Sequence, residues 1–379
     1  MIKKQKMPNI EALRCLAMMM VVVLHYLGKG KLLGNSYAPD MGSVGIVAWL
    51  LESFCIVAVN VYMLISGYFL CASSFKIKRL LMLYIQLWMY SDIIGMIACL
   101  TNLVPENDRT AYNFFQLIFP VSMEHYWFMT AYFFLYLLLP ILQKAVTALS
   151  KKQFQCVLVM MLIMFSGVKS VIPVDFSTDR DGYDCIWYIC MFMVAAYIRR
   201  FGAGILEKTY RAWLCYFAGV ILIFAGIMGV HLIFVKTGRL QSSLDVFIDY
   251  NHLFVVLASV GLFLGVLKCK HPKSDGIVGK CICKIAPYSL GVYLLHENLG
   301  IRQLWPKWLG AGNVDSVASL IGHTLLAVVC VFTAGIVVEA IRSLLMSVLH
   351  RILLKAPTYA KLMTNLDKID GFFAKNAPT

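Results

Sequence analysis

The residues best equipped for chemistry sit where an apolar segment least tolerates them. The run from Asn9 to Tyr26 is almost wholly aliphatic, yet it contains Arg14 and His25. An arginine at the centre of a membrane helix costs about 2.5–3.5 kcal/mol on insertion scales, so intramembrane ionisable groups mark function by default. At about 100° per residue, Arg14 and His25 fall on one helix face, roughly 16 Å apart along the axis. Imidazole takes up and returns a proton near neutral pH. A guanidinium is permanently charged and suits phosphate. Glu11, three residues before Arg14, is positioned to pair with it instead.

Further polar groups interrupt apolar runs. Asn60 and Ser66 lie in Val59–Leu70, and His296 ends Tyr288–His296. His125, Trp127 and Tyr132 open another run, where Trp and Tyr commonly form an interfacial belt. These six are candidate substrate-binding residues. Lys76, Lys78 and Arg79 follow the second run and make a basic cluster with Arg14, suited to phosphates.

The elements that must carry these groups are membrane helices. The 379 residues are 60% hydrophobic and 14% charged, with a mean hydropathy of +0.75, against about 25% charged in soluble domains. Runs long enough to span fall at about 9–27, 44–71, 80–104, 126–146, 154–172, 184–200, 213–235, 252–268, 285–301 and 317–348. Lysine and arginine concentrate in alternate connections: Lys76–Arg79, Lys144–Lys152, Arg199–Arg211, Lys268–Lys284 and the segment after Arg351. The positive-inside rule then predicts an all-α, polytopic integral membrane protein with ten transmembrane helices and both termini cytoplasmic. Residues 1–350 form the membrane domain. Residues 351–379 read as a cytoplasmic amphipathic tail on the inner surface, with nothing long enough for an appended soluble catalytic domain.

This placement accounts for the net charge of +14 without nucleic acid, since basic loops lie beside an anionic leaflet. The opposite loops are richer in acids: Asp175, Asp179, Asp181, Asp184, Asp245 and Asp249 could rim a hydroxylated substrate or simply be solvated. The basic start, Lys3-Lys4-Gln5-Lys6, lacks a following small-residue cleavage site, which predicts a retained helix rather than a signal peptide. The twelve cysteines lie mostly within apolar runs, and Cys281-Ile-Cys283 has the wrong spacing for a zinc knuckle, so no metal is expected. No HExxH, nucleotide-binding glycine loop or G-x-S-x-G elbow is present.

Five pieces in order resemble the bacterial membrane acyltransferase-3 family. They are Arg14–x10–His25, Asn60…Ser66-Gly67-Tyr68, Phe75-Lys-Ile-Lys-Arg79, Trp127…Tyr132…Pro140 and Ser289-Leu-Gly-Val-Tyr-Leu-Leu-His296. The resemblance runs from about residue 8 to 345. Tyr62-Met63 stands where many members have paired aromatics, and the acidic residue that some glycan acylators carry after the Trp is missing. The family resemblance implies a stand-alone O-acyltransferase in the bacterial cytoplasmic (inner) membrane. Its donor would be cytoplasmic acyl-CoA, commonly acetyl-CoA, and its acceptor a glycan or lipid-linked sugar of the cell envelope. His25 and Arg14 would be catalytic, with Arg14, Lys76, Lys78 and Arg79 holding the coenzyme A phosphates. A small-solute transporter or exporter is the rival reading. Beyond acyl-CoA, acceptor and lipid bilayer, a homo-oligomer stays open among the partners.

Overall fold

The computed structural model describes residues 7–34, 41–104, 109–172, 180–240, 245–269 and 276–375. Lys3, Lys4 and Lys6, Asp175, Asp179, Lys270 and Lys273 lie outside the described residues. Within them the chain is helical, with no strand. Helix α1 spans Pro8–Lys29, α2 Gly42–Cys55 and α3 Ala58–Leu70. A long segment follows as α4 (Ile77–Trp88), a π turn (Met89–Ile94) and α5 (Gly95–Leu100). Next come α6 (Ala111–Ile118), α7 (Trp127–Ala148), α8 (Lys151–Leu162) and, after a second π turn, α9 (Val168–Val171). Then come α10 (Cys185–Phe201), α11 (Thr209–Thr237), α12 (Leu253–Lys268), α13 (Ile277–Ile285) and α14 (Ser289–His296). The chain ends with α15 (Trp305–Trp308), α16 (Val317–Leu353) and α17 (Pro357–Lys375).

Nine helical segments among the described residues are long and apolar enough to cross a membrane. The tenth expected span, near 184–200, is α10, a helix of 17 residues at the short end of the spanning range. The protein is therefore a multi-pass membrane protein. The expected span at 285–301 is displaced towards the N-terminus: the apolar segment is Ile277–His296 and ends at the histidine. Pro287 lies in a 3-10 turn (Ala286–Tyr288) between α13 and α14, where its missing N–H interrupts the α-helical ladder.

Local chemistry sets the helix ends. Pro8 opens α1, with Glu11 in the first turn and Lys29 in the last, both favourable to the helix dipole. Ser150 and Ser316 head capping boxes on α8 and α16, and the Asp184 carboxylate accepts from the Trp187 N–H at 2.8 Å on α10. The π turn at Met89–Ile94 buries Tyr90 and Ser91 inside the bundle.

Helix α14 is wedged between α1 and α16. A Cβ on Gly335 of α16 would lie 2.4 Å from the Val292 Cα, so the two backbones approach closely, as small residues permit in membranes. Replacing Gly335 by valine must push α14 away. The expected result is a loss of about 1–3 kcal/mol of stability, read as a lower melting temperature in detergent. An unchanged melting temperature would contradict this packing.

Candidate functional site

Helix α1 brings His25 to the end of α14. The His25 Nδ1 lies 2.8 Å from His296 Nε2 and 3.0 Å from Glu297 Oε1. His296 Nδ1 lies 2.6 Å from the Val292 carbonyl oxygen, one helical turn back. These contacts assign the protons. Only an N–H can face a carbonyl, so His296 carries its hydrogen on Nδ1 and its neutral Nε2 is an acceptor. His25 Nδ1 then faces two acceptors and must carry a hydrogen itself. That leaves His25 Nε2 with a bare lone pair, the form a general base requires. Glu297 orients the ring and stands ready to stabilise an imidazolium, the role a buried carboxylate plays beside a catalytic histidine.

Glu297 is itself balanced by Lys29, which pairs with the same carboxylate oxygen. Lys29 lies one turn beyond His25 on α1, so both groups face the α14 terminus. His25, His296 and Glu297 also offer ligand atoms within 4.8 Å of one another, a set able to hold a metal ion. The Lys29 ammonium on the carboxylate opposes a second cation there.

A cavity of about 400 Å³ opens beside His25. Its wall includes Arg14, Arg79 and Arg342 among the cations, and Tyr62, Ser66, Trp127 and Tyr132 among the polar aromatics and hydroxyls. The Tyr62 hydroxyl donates to the Arg14 carbonyl at 2.6 Å, and Arg14 itself pairs with Glu11 at 3.4 Å, as the spacing allowed. Arg79 donates to the Tyr132 hydroxyl at 3.4 Å and packs over the Tyr136 ring. Arg342 is clamped by both Glu339 oxygens at 2.6 and 2.8 Å, and Tyr90 donates to Glu339 at 3.0 Å. One cavity is thus lined by His25 and by three arginines.

Other sequence candidates are engaged elsewhere. Lys76 is exposed and Lys78 pairs with Asp367 of α17 at 2.5 Å; neither is on the cavity wall. Asn60 is fully buried off the cavity, donating to the Tyr250 carbonyl at 2.6 Å and accepting from the Trp187 indole at 2.9 Å. His125 is also off the cavity, 2.6 Å from the Ser91 hydroxyl and accepting from the Leu299 N–H at 3.2 Å. Sequence reasoning assigned no role to Glu297, Lys29 or Arg342. The signals were there: a carboxylate adjoining His296, a lysine four residues after His25, and an arginine within the last apolar run.

Burial, reinforced by the Arg302 charge, pushes the His125 pKa down to about 3. An unfolded histidine titrates near 6.5, so below that pH the unfolded chain gains a proton that the folded one refuses. Stability from this group is complete above about pH 6.5 and falls as the pH drops toward 3. A His125→Gln variant should show a flatter loss of melting temperature across that window. Parallel profiles for variant and parent would refute the neutral assignment.

No curated protein and no solved structure matches the chain. A family model described as an acyltransferase domain matches residues 7–341, which takes in α1 with His25 and Arg14, α14 with Glu297 beyond it, and α16 almost to Arg342. The match covers most of the chain, and the protein belongs to the acyltransferase-3 family of membrane acyltransferases.

Proposed function

We propose that this membrane acyltransferase moves an acyl group, acetyl in the simplest case, from cytoplasmic acyl-CoA to a hydroxyl of a cell-envelope or extracellular glycan or lipid-linked sugar. One observation carries the reading: His25, held with its Nε2 bare, and Arg14, Arg79 and Arg342 line one cavity. Guanidiniums suit the phosphates of coenzyme A, and the long pantetheine arm suits a narrow path from them to an imidazole.

In this mechanism His25 Nε2 takes the proton of the acceptor hydroxyl as its oxygen attacks the thioester carbonyl carbon. The carbonyl π pair moves onto oxygen, giving a tetrahedral oxyanion. Collapse breaks the carbon–sulfur bond, and the leaving thiolate takes the proton back from His25. The Glu297 carboxylate holds the imidazolium between these steps, with Lys29 paired to the same oxygen. Arg14, on the Lys76–Arg79 side, is the cytoplasmic end of the path. In the α1 topology expected from the basic loops, His25 then faces the acceptor side.

The test supplies labelled acetyl-CoA to membranes holding the full-length protein and follows label in the surface-glycan fraction. His25→Ala should lower transfer by about 10²–10⁴-fold, the usual share of a general base, with insertion unchanged. Arg14→Ala and Arg342→Ala should raise the KM for acetyl-CoA by about 10-fold or more, as expected for lost charge-assisted contacts. Transfer unchanged in all three variants would defeat the proposal.

A further inference from the structure

The acyl-transfer reading leaves one charge without a partner. The developing oxyanion needs hydrogen-bond donors already aimed at it, and neither His25, Glu297 nor Lys29 is available for that. Asn60, a candidate substrate-binding residue in the sequence, has its amide engaged on both sides.

The first turn of α7 supplies main-chain donors. Helix α7 runs 22 residues from Trp127, and its N-cap residue, Tyr126, makes no side-chain capping bond. The first backbone bond of the helix runs from the Thr130 N–H to the Tyr126 carbonyl. The N–H groups of Trp127, Phe128 and Met129 precede it and have no intrahelical acceptor, that of Phe128 facing the Tyr293 oxygen instead. All three residues line the same cavity as His25. A helix start carries about half a positive charge, which favours an anion there.

A second donor converges on this place from α14. Tyr293 lines the cavity and is only 5% exposed; its oxygen faces the Phe128 N–H, and its own O–H has no acceptor. Leaving a buried hydroxyl unsatisfied costs about 1–3 kcal/mol, so such a group needs a reason. Its ring lies 5.9 Å from that of Phe128 and 6.1 Å from that of His296, between the α7 start and the histidine pair. The phenol is therefore held by ring packing and by the Phe128 N–H, with its O–H free to donate.

We infer that the Tyr293 hydroxyl and the uncapped N–H groups at the α7 start form the oxyanion hole of the transfer reaction. The thioester carbonyl oxygen sits against them while His25 Nε2 faces the attacking hydroxyl. As negative charge builds on that oxygen, the Tyr293 O–H and the α7 amides donate to it. When the carbon–sulfur bond breaks, the charge leaves with the thiolate and the donors are released. No proton is transferred by Tyr293, so its ionisation plays no part. This arrangement gives Trp127 a main-chain role in addition to its ring.

The inference rests on the acyl-transfer reading, and one experiment separates the two. Thiol release from acetyl-CoA, with water or acceptor as nucleophile, is measured for the full-length protein in membranes. Parent, His25→Ala and Tyr293→Phe are compared. Tyr293→Phe keeps the ring and removes only the hydroxyl. It should lower kcat by about 10²-fold, the usual cost of one oxyanion donor, with KM for acetyl-CoA and the melting temperature unchanged. Hydrolysis and transfer should fall by the same factor, because both pass through the same oxyanion. A kcat equal to the parent's overturns the inference and leaves His25 dependence intact. So does a fall in kcat accompanied by an equal fall in melting temperature, which would mark a packing role. Equal thiol release by parent and His25→Ala overturns the acyl-transfer reading, and this inference with it.

Discussion

The contact on which the rest of the site depends is the carboxylate of Glu297 held between Lys29 and His25. A lone carboxylate in an apolar bundle would be driven to its neutral form. The Lys29 amine shares the carboxylate oxygen that His25 faces, and this shared contact fixes the imidazole. The pair also ties the last turn of α1 to the end of α14, far away in the chain. Breaking one partner of such a pair is expensive because it strands the other.

The end of α14 is fixed from every side that matters to this contact. The Tyr126 hydroxyl donates to the Leu294 carbonyl at 3.0 Å, and the Asn298 amide donates to the Tyr90 carbonyl at 2.9 Å. Gly335 lets α16 press against Val292, whose carbonyl receives the His296 hydrogen. The histidine tautomers are therefore consequences of helix packing. A shift of α14 by a fraction of an ångström would loosen the hydrogen bond that leaves His25 Nε2 without a hydrogen. The same packing leaves Tyr293 on the cavity wall with its O–H lacking an acceptor.

The sequence made the helical architecture legible because hydrophobic runs of membrane length admit few alternatives. Arg14 and His25 were legible for the same reason: an ion in an apolar helix is costly, and its position on the helix face follows from the residue count. Their partners were harder. Glu297 adjoins His296 in the chain, but nothing local says that it meets Lys29 and His25, because that contact depends on how α14 packs against α1. Asn60 looked equivalent to Ser66 as a polar interruption in one helix. Packing separates them, turning Asn60 to Trp187 and Tyr250 while Ser66 faces the cavity. Lys76 and Lys78 followed Arg79 in charge but not in direction, since Asp367 of α17 takes Lys78. Arg342 joined the cavity only through the path of the longest helix.

The proposed role of His25 as a base requires Glu297 to hold its ring. The most direct measurement is a double-mutant cycle on acetyl-CoA turnover, using His25→Ala, Glu297→Gln and the pair together. Glu297→Gln alone should lower kcat steeply, and adding it to His25→Ala should cost nothing further, because the carboxylate acts through the ring. Independent, multiplying losses in the double variant, or full activity in Glu297→Gln, would contradict it.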